Sequence, residues 1–306
     1  MEQFRVHILG CGSALPTTRH NPSMQVVECR GKLFMVDCGE GAQLQVRRAG
    51  LSFAKIGHVF ISHLHGDHCF GLMGLISSIG LLGRTATLHV YAPGDLGPML
   101  DAQMDFFCRD LGYVVEFHPV DTKRQYVVYE DRSVTVETIP LEHRVPCAGY
   151  LFREKPSLPH IRRDMIDLYE IPTSQINNIK AGQDFTCPDG TVVPHEKLVT
   201  PADPPRSYAY CSDTRYVESL AEIVKGVDLL YHESTYADDN IGMAEKYYHS
   251  TARQAAMVAR AAGVGKLLLG HFSSRYTDEN ILLNEAREVF PDSFLTREQQ
   301  IIDIAS

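Results

Sequence analysis

The stretch "SHLHGDH" at residues 62–68 packs His63, His65, Asp67 and His68 together, directly behind the apolar run "HVFI". Imidazole and carboxylate are ligands that zinc takes at about 2 Å, and a catalytic zinc keeps one position for water. Alternation over residues 63, 65 and 67 lets side chains converge where a strand runs into a loop. The adjacent Asp67–His68 pair can reach a second ion next to the first. One histidine on a polar loop would mean little; H-x-H-x-D-H behind a buried strand points to a metal centre.

Two ions need about seven protein ligands, so further candidates belong at other strand ends. Three lone residues stand where an apolar run stops: His143 in "IPLEHRVP", Asp213 in "YAYCSDT" and His271 in "LLLGHFSS". Each alone is more often a hydrogen-bonded core or surface residue than a ligand. Their shared position, added to the cluster, raises all three. An aspartate between two cations roughly 3.5–4 Å apart would complete a two-metal site. Such a site lowers the pKa of a bridging water and stabilises charge on the attacking and leaving oxygens.

The elements that must hold these groups read as two similar halves. "RVHIL", "MQVVEC", "KLFMVDCG" and "HVFISHL" are strands, with a Gly-containing hairpin turn in "ECRGKL". "LHVYAP", "YVVEFHPV", "QYVVYED" and "SVTVETIPL" follow, and "GLMGLISSIGLLGR" is the helix expected after the histidine cluster. In the second half "SYAYCSD", "DLLYHEST" and "KLLLGHF" are strands. "STARQAAMVARAAG" is a helix, capped by Thr251 with Gln254 three residues on and ended by Gly263. "DENILLNEAREVF" is an amphipathic helix stopped by Pro291. Two sheets flanked by helices, an α/β fold with αββα layering, accommodate this order as one domain over residues 1–306. Residues 152–205 differ: they hold Pro156, Pro159, Pro172, Pro188, Pro194, Pro201, Pro204 and Pro205, half of the chain's 16 prolines, and little apolar periodicity. The stretch is too long for an ordinary internal loop and reads as an inserted, protruding arm.

Composition narrows the class. The chain of 306 residues is 44% hydrophobic and 22% charged, which suits a globular protein with an ample core. The apolar run "GLMGLISSIGLLG" is broken by Gly and Ser and too short to span a membrane. "MEQFRVHILG" lacks a basic region and a small-residue cleavage site, so no secretion signal is expected. The eight cysteines form no C-x-x-C pair, which disfavours a zinc ribbon or disulfide framework and suits a reducing cytoplasm. A net charge of −9 disfavours broad nucleic-acid binding but leaves room for a local basic patch or bound cations.

The order His63-x-His65-x-Asp67-His68, then His143, Asp213 and His271, resembles the metal motifs of the metallo-β-lactamase superfamily, whose αββα sandwich agrees with the halves read above. Finer features are similar to the ribonuclease Z family, endonucleases that remove 3′ trailers from precursor tRNA. They are "LGCGSALPTTRHNPS", "MVDCGEGAQLQ", "SHLHGDHCFGL", "EHRVPCAGYLF", "YCSDTRY", "HEST", "HSTARQAA" and "GHFSSRY", in family order almost end to end. The resemblance implies one zinc on His63, His65 and His143, another on Asp67, His68 and His271, and Asp213 bridging. Manganese or iron would suit the same N/O donors. It further implies hydrolysis by a metal-bridged hydroxide, leaving a 3′-hydroxyl on tRNA and a 5′-phosphate on the trailer. Asp67 is the family's general base, although a metal-bound carboxylate is a weak base and better suited to orienting the water. "HEST" and "HST" put His249 at the scissile phosphate or leaving oxygen, with Glu233 orienting it; His232 is a weaker candidate.

Gly10, Gly12 and Pro16 could aim backbone N–H groups at RNA phosphate, or merely make a tight turn. The family's bacterial members often carry Pro-x-Lys-x-Arg-Asn in that loop. Here Pro16-Thr17-Thr18-Arg19-His20-Asn21 changes both basic positions, which bears on how a CCA tail is handled. The family's tRNA-binding arm, an exosite, corresponds to residues 152–200, where "NNIKAGQDF" resembles its turn and "YEIPTSQ" replaces a Gly-Pro-rich segment. Six Lys/Arg against eight Asp/Glu in 152–205 is a poor electrostatic footprint. Arg162, Arg163 and Lys180, with Arg19, are the candidates for phosphate contacts. The family implies a homodimer. Two other readings remain: a dizinc hydrolase of this fold acting on small phosphodiesters, sulfate esters or thioesters, and a catalytically silent RNA-binding partner.

Overall fold

The computed structural model describes residues 3–304. Its first half lays down β1 (Phe4–Gly10), β2 (Met24–Cys29), β3 (Lys32–Val36), β4 (Ile56–Phe60), β5 (Leu88–Pro93) and β6 (Val115–Val120). β7 (Val127–Glu130), β8 (Val134–Leu141) and β9 (Cys147–Glu154) open a second sheet. Four two-residue strands follow: β10 (His160–Ile161), β11 (Phe185–Thr186), β12 (Val192–Val193) and β13 (Val199–Thr200). β14 (Ser207–Cys211), β15 (Leu229–Glu233), β16 (Lys266–Gly270) and β17 (Ser293–Leu295) extend the second sheet, and β18 (Ile301–Asp303) returns to the first. The two large sheets run β18-β1-β2-β3-β4-β5-β6 and β17-β16-β15-β14-β9-β8-β7. β3 to β6 are mutually parallel, as are β14 to β17. The loops that leave a run of parallel strands lie along one edge of its sheet, where open α/β sheets build their sites.

Alternation decides what lies between the sheets. Phe34, Phe60 and Tyr91 of the first sheet share a core with Tyr150, Phe152, Tyr208 and Tyr210 of the second. Phe60 stacks edge-on to Phe152 at 5.7 Å between ring centroids, and the Tyr150 hydroxyl donates to the Ile61 carbonyl at 2.8 Å. The opposite face of the first sheet, with Val26, Met35, Val59 and Val90, packs on Leu72, Leu75, Ile76 and Ile79 of the helix Leu72–Leu81. The helix Ala252–Ala262 covers the second sheet; Thr251 and Gln254 form the expected capping box, and Gly263 closes it at φ 63°. The layering is αββα, as the sequence pattern predicts.

Local details depart from that pattern. β4 ends at Phe60, and Asp67 and His68 lie on the helical turn Gly66–Cys69 instead of continuing an alternating strand. The helix Leu96–Phe107 has no counterpart in the sequence reading, and it carries Pro98 in its first turn. Proline is tolerated in a first turn, where its missing N–H has no intrahelical partner to lose. Among the described residues no helix is long and apolar enough to cross a membrane.

Residues Glu154–Pro205 form a compact unit of their own. Ile171, Ile179, Phe185, Val193 and Leu198 make its small core, and Ile161 and Val199 of the β10–β13 ladder pack against it. Short helices at Arg163–Leu168, Thr173–Lys180 and His195–Leu198 explain the weak sequence signal, since none is long enough to show a clear period.

In the larger unit the loop after β3 and the loop after β4 lie backbone against backbone. The Cys38 N–H donates to the His68 carbonyl and the Gly71 N–H to the Cys38 carbonyl, each at 2.8 Å. A Cβ on Gly71 would lie 2.0 Å from the Gly39 carbonyl oxygen. Gly71→Ala must therefore push the two loops apart. The expected cost is about 1–3 kcal/mol, measured by urea unfolding, together with weaker metal retention on dialysis.

Candidate metal centre

Each donor arrives at the C-terminal end of a strand or on the loop that follows. β4 leads to His63, His65, Asp67 and His68; β8 leads to His143, β14 to Asp213 and β16 to His271. Nitrogen and oxygen atoms of His63, His65, His143 and Asp213 lie within 4.8 Å of one another, as do those of Asp67, His68 and His271. Asp213 faces both sets. Its Oδ2 is 3.6 Å from His63 Nε2 and 3.8 Å from His143 Nε2, while its Oδ1 is 3.2 Å from His271 Nε2 and 3.5 Å from His68 Nε2. All seven residues predicted from the sequence thus come together.

The rings are fixed from outside. His143 Nδ1–H donates to the Tyr248 carbonyl at 2.8 Å, and His68 Nδ1–H donates to Asp37 Oδ2 at 2.7 Å. Those acceptors carry no proton, so both rings keep Nδ1–H outward and turn Nε2 to the centre. In His68 burial is outweighed by Asp213, Asp67 and Asp37, which hold the ring well above the usual imidazole range, with a proton on Nε2 that a cation would displace. His271 Nδ1 meets Thr235 Oγ1 at 2.8 Å, and that hydroxyl donates to Glu233 Oε2 at 2.7 Å, which gives His271 the same tautomer. His63 Nδ1 meets the Ser62 hydroxyl at 3.0 Å. His65 is turned the other way: its Nδ1 lies 3.0 Å from His63 Nε2 and 3.2 Å from His143 Nε2.

This donor set fits divalent cations. Lone pairs aimed at each other over 3.0–3.4 Å repel unless a proton or a cation lies among them. Asp213 Oδ1 is buried and makes no hydrogen bond, so a charged oxygen is withdrawn from water without a donor. Its 3.2 Å approach to His271 is an ion-pair distance without hydrogen-bond geometry. Burial pushes His63, His65 and His143 below the usual imidazole range, which keeps their lone pairs free. Burial alone would raise the Asp67 carboxyl, but His68 and His271 outweigh it and hold it far below the usual range. Asp67 is accordingly a poor proton acceptor and a good ligand.

Behind the donors, Glu233 is fully buried on β15. It accepts from the Thr214 and Thr235 N–H groups at 3.1 Å each and pairs with His249 Nδ1 at 2.8 Å. Burial opposes charge on both members, yet the pairing dominates: Glu233 is drawn down to about 2 and His249 is lifted to about 9. His249 lines a cleft of about 590 Å³ together with His65, Asp67, Asp213, His271, Arg144 and Phe70. His232, next to Glu233, is buried with its Nδ1 on the Glu233 carbonyl and does not line this cleft.

Other sequence candidates fare differently. The Gly12 and Ser13 N–H groups donate to Asn21 and Phe272 carbonyls, so the turn reading, not an anion cradle, describes them. Arg19 donates to the Tyr276 and Thr277 carbonyls and to Glu279, and His20 lies between Glu279 and Glu298. Arg162 is paired with Asp164 at 2.7 Å; Arg162, Arg163 and Lys180 belong to the Glu154–Pro205 unit. Asp37 is the residue the sequence reading passed over, although it too is a lone Asp where the apolar run "LFMV" stops. It accepts from the Ser62 N–H at 2.7 Å, the Ser62 hydroxyl at 2.9 Å, the Tyr210 hydroxyl at 2.6 Å and His68. Asp37→Ala strands these buried donors. A loss of about 3–5 kcal/mol is expected, with zinc affinity reduced roughly 10–100-fold, measured by denaturation and by competition with a zinc chelator.

Comparison with known proteins bears on what such a centre serves. Ribonuclease Z of Bacteroides fragilis is 56% identical over 304 residues, covering 99% of this chain and 100% of the relative. Ribonuclease Z of Phocaeicola vulgatus is 56% identical over 306 residues, covering 100% and 99%. That of Porphyromonas gingivalis is 50% identical over 304 residues, covering 99% and 100%. Among solved structures, the short form of human tRNase Z superposes with a TM-score of 0.71 at 24% identity, covering 99% of this chain and all of that one. The metallo-β-lactamase fold protein YhfI of Bacillus subtilis gives 0.69 at 18%, covering 99% and 100%. These two carry the fold. A family model described as Anti-Pycsar protein Apyc1 matches residues 4–155, a span that includes His63 to His143 but neither Asp213 nor His271.

Proposed function

The chain belongs to the ribonuclease Z family, and we propose that it cuts precursor tRNA just beyond the acceptor stem, using two zinc ions. The observation that carries this reading is the Asp213 carboxylate, with one oxygen toward each donor set. His63, His65 and His143 would hold one ion, Asp67, His68 and His271 the other, and Asp213 both. Bound there, such ions would acidify a water and offset charge on the attacking and leaving oxygens. Asp67 would help to orient the attacking water. Arg144, in the same cleft, supplies a fixed positive charge for the phosphate.

His249 serves the leaving group. Glu233 keeps it protonated and fixes its Nδ1, leaving Nε2–H to reach the departing 3′ oxygen of the tRNA. That oxygen is a poor leaving group and needs the proton, whereas p-nitrophenolate departs without one. His249→Ala should therefore lower kcat on a 3′-extended tRNA roughly 10²–10⁴-fold and leave bis-p-nitrophenyl phosphate cleavage and metal content nearly intact. Asp213→Ala should lose both activities. The decisive experiment maps the cut on 3′-extended transcripts with and without CCA. No cleavage with zinc or manganese supplied would sink the proposal, and cleavage of the small ester alone would favour the small-phosphodiester hydrolase.

The unit Glu154–Pro205 is, on this reading, the arm that grips tRNA, through Arg163 and Lys180 and through shape more than charge. The working form is a homodimer. Leu81, Phe106 and Phe107 line one groove and are 88%, 73% and 70% exposed, an apolar surface suited to a second copy. Phe106→Asp should convert the dimer to monomers in sedimentation velocity; an unchanged sedimentation coefficient would move the interface elsewhere.

A further inference from the structure

A second histidine-rich cluster lies at the other end of the strands that carry the metal centre. β4, β5 and β6 bring His58, His89 and Glu116 into one register row, and His118 follows Glu116 by two residues on the same face. This is where the parallel strands begin; the centre already described is where they finish. The separation along β4 is on the order of 15 Å, so no residue of one cluster can serve the other.

The geometry is that of a ligand set. His89 Nδ1 lies 3.0 Å from His118 Nε2 and 3.5 Å from Glu116 Oε2, and His118 Nε2 lies 3.7 Å from Glu116 Oε1. Donors bound at about 2.0–2.1 Å to a tetrahedral zinc stand about 3.3 Å apart, so closure needs shifts of a few tenths of an ångström. Both rings are held: His58 stacks on His89 at 4.9 Å and 12°, and Tyr91 on His118 at 4.5 Å and 13°. Burial lowers His118 and takes His58 down to about 4, so neither adds a positive charge that would repel a cation at neutral pH. The three donor side chains are 29%, 54% and 32% exposed, which opens the remaining position to water. The Cys11–His20–Glu298 group differs, because His20 is already engaged on both nitrogens by Glu279 and Glu298.

We propose that His89, Glu116 and His118 form a third, mononuclear site for a borderline divalent cation, zinc first among them, with solvent completing the shell. Two imidazoles and one carboxylate favour zinc, nickel or copper over magnesium or calcium. Bound there, the cation ties the edge strand β6 to β5. The site is independent of the tRNA-processing reading.

The test is zinc itself. Equilibrium dialysis against micromolar buffered free zinc should load the wild-type chain with one equivalent more than His89→Gln/His118→Gln, while both cleave 3′-extended tRNA at the same rate. Equal stoichiometry in the two would overturn the proposal. A measurement on the unaltered protein guards against a misfolded variant: zinc should protect His89 and His118 from carbethoxylation, mapped by mass spectrometry, with the exposed His160 as the reactive control. Undiminished modification of His89 and His118 at saturating zinc would leave only an N–H···N hydrogen bond between them and end the proposal.

Discussion

Every imidazole of the main centre has to send its proton away from the cleft, and the rest of the architecture follows from that constraint. A ring presents a lone pair inward only if its other nitrogen finds an acceptor outward. The outward acceptors are the Tyr248 carbonyl for His143, Asp37 for His68 and Thr235 for His271. They come from three separate parts of the chain. Asp37 needs the loop after β3, Thr235 the loop after β15, and Tyr248 a turn at φ 59°. The two sheets must therefore meet at this edge before any ligand is correctly aimed. The backbone-to-backbone contact at Gly39 and Gly71 brings the Asp37 loop close enough.

Asp37 and Glu233 play the same part on opposite sides. Each is fully buried, each accepts backbone N–H and hydroxyl donors, and each acts on an imidazole. They differ in what that imidazole faces. His68 turns its Nε2 toward Asp213 and Asp67 within the donor set. His249 turns into the cleft with its Nδ1 on Glu233, 4.0 Å from Asp213. One carboxylate thus orients a candidate ligand, and the other holds a proton beside the donor set.

Much of this was legible in the sequence for a physical reason. Strand ends are marked by where an apolar run stops, and catalytic groups stand there because rigid strands aim them. His143, Asp213 and His271 were found on that signal combined with the cluster at residues 63–68, and the family resemblance gave them their roles. The αββα order was legible because buried strands and amphipathic helices have different periods. Asp37 obeys the same rule yet went unread, because a lone Asp before "CGEG" reads first as a turn residue. The helix Leu96–Phe107 went unread, and the helical turn at Gly66–Cys69 was invisible because four residues carry no period. Arg19 looked available for RNA; only tertiary structure shows its donors engaged by Tyr276, Thr277 and Glu279.

A chain of net charge −9 acting on a polyanion is less paradoxical once the site's own charges are counted. Asp67 and Asp213 line the cleft and Asp37 and Glu233 stand behind it on opposite sides, four carboxylates nearly inaccessible to water. Unbalanced, they would repel any phosphate at close range. The two divalent cations proposed above would carry four positive charges to balance them, and His249 and Arg144, against the Glu40 carboxylate, would then leave the cleft net positive. Attraction for the scissile phosphate would therefore be generated locally and at short range. Long-range steering is weak by comparison, because the surface charge has the wrong sign and is screened over about 8 Å at physiological salt. Binding selectivity must then come from surfaces that read the shape of the folded RNA, which is the work proposed for the Glu154–Pro205 unit.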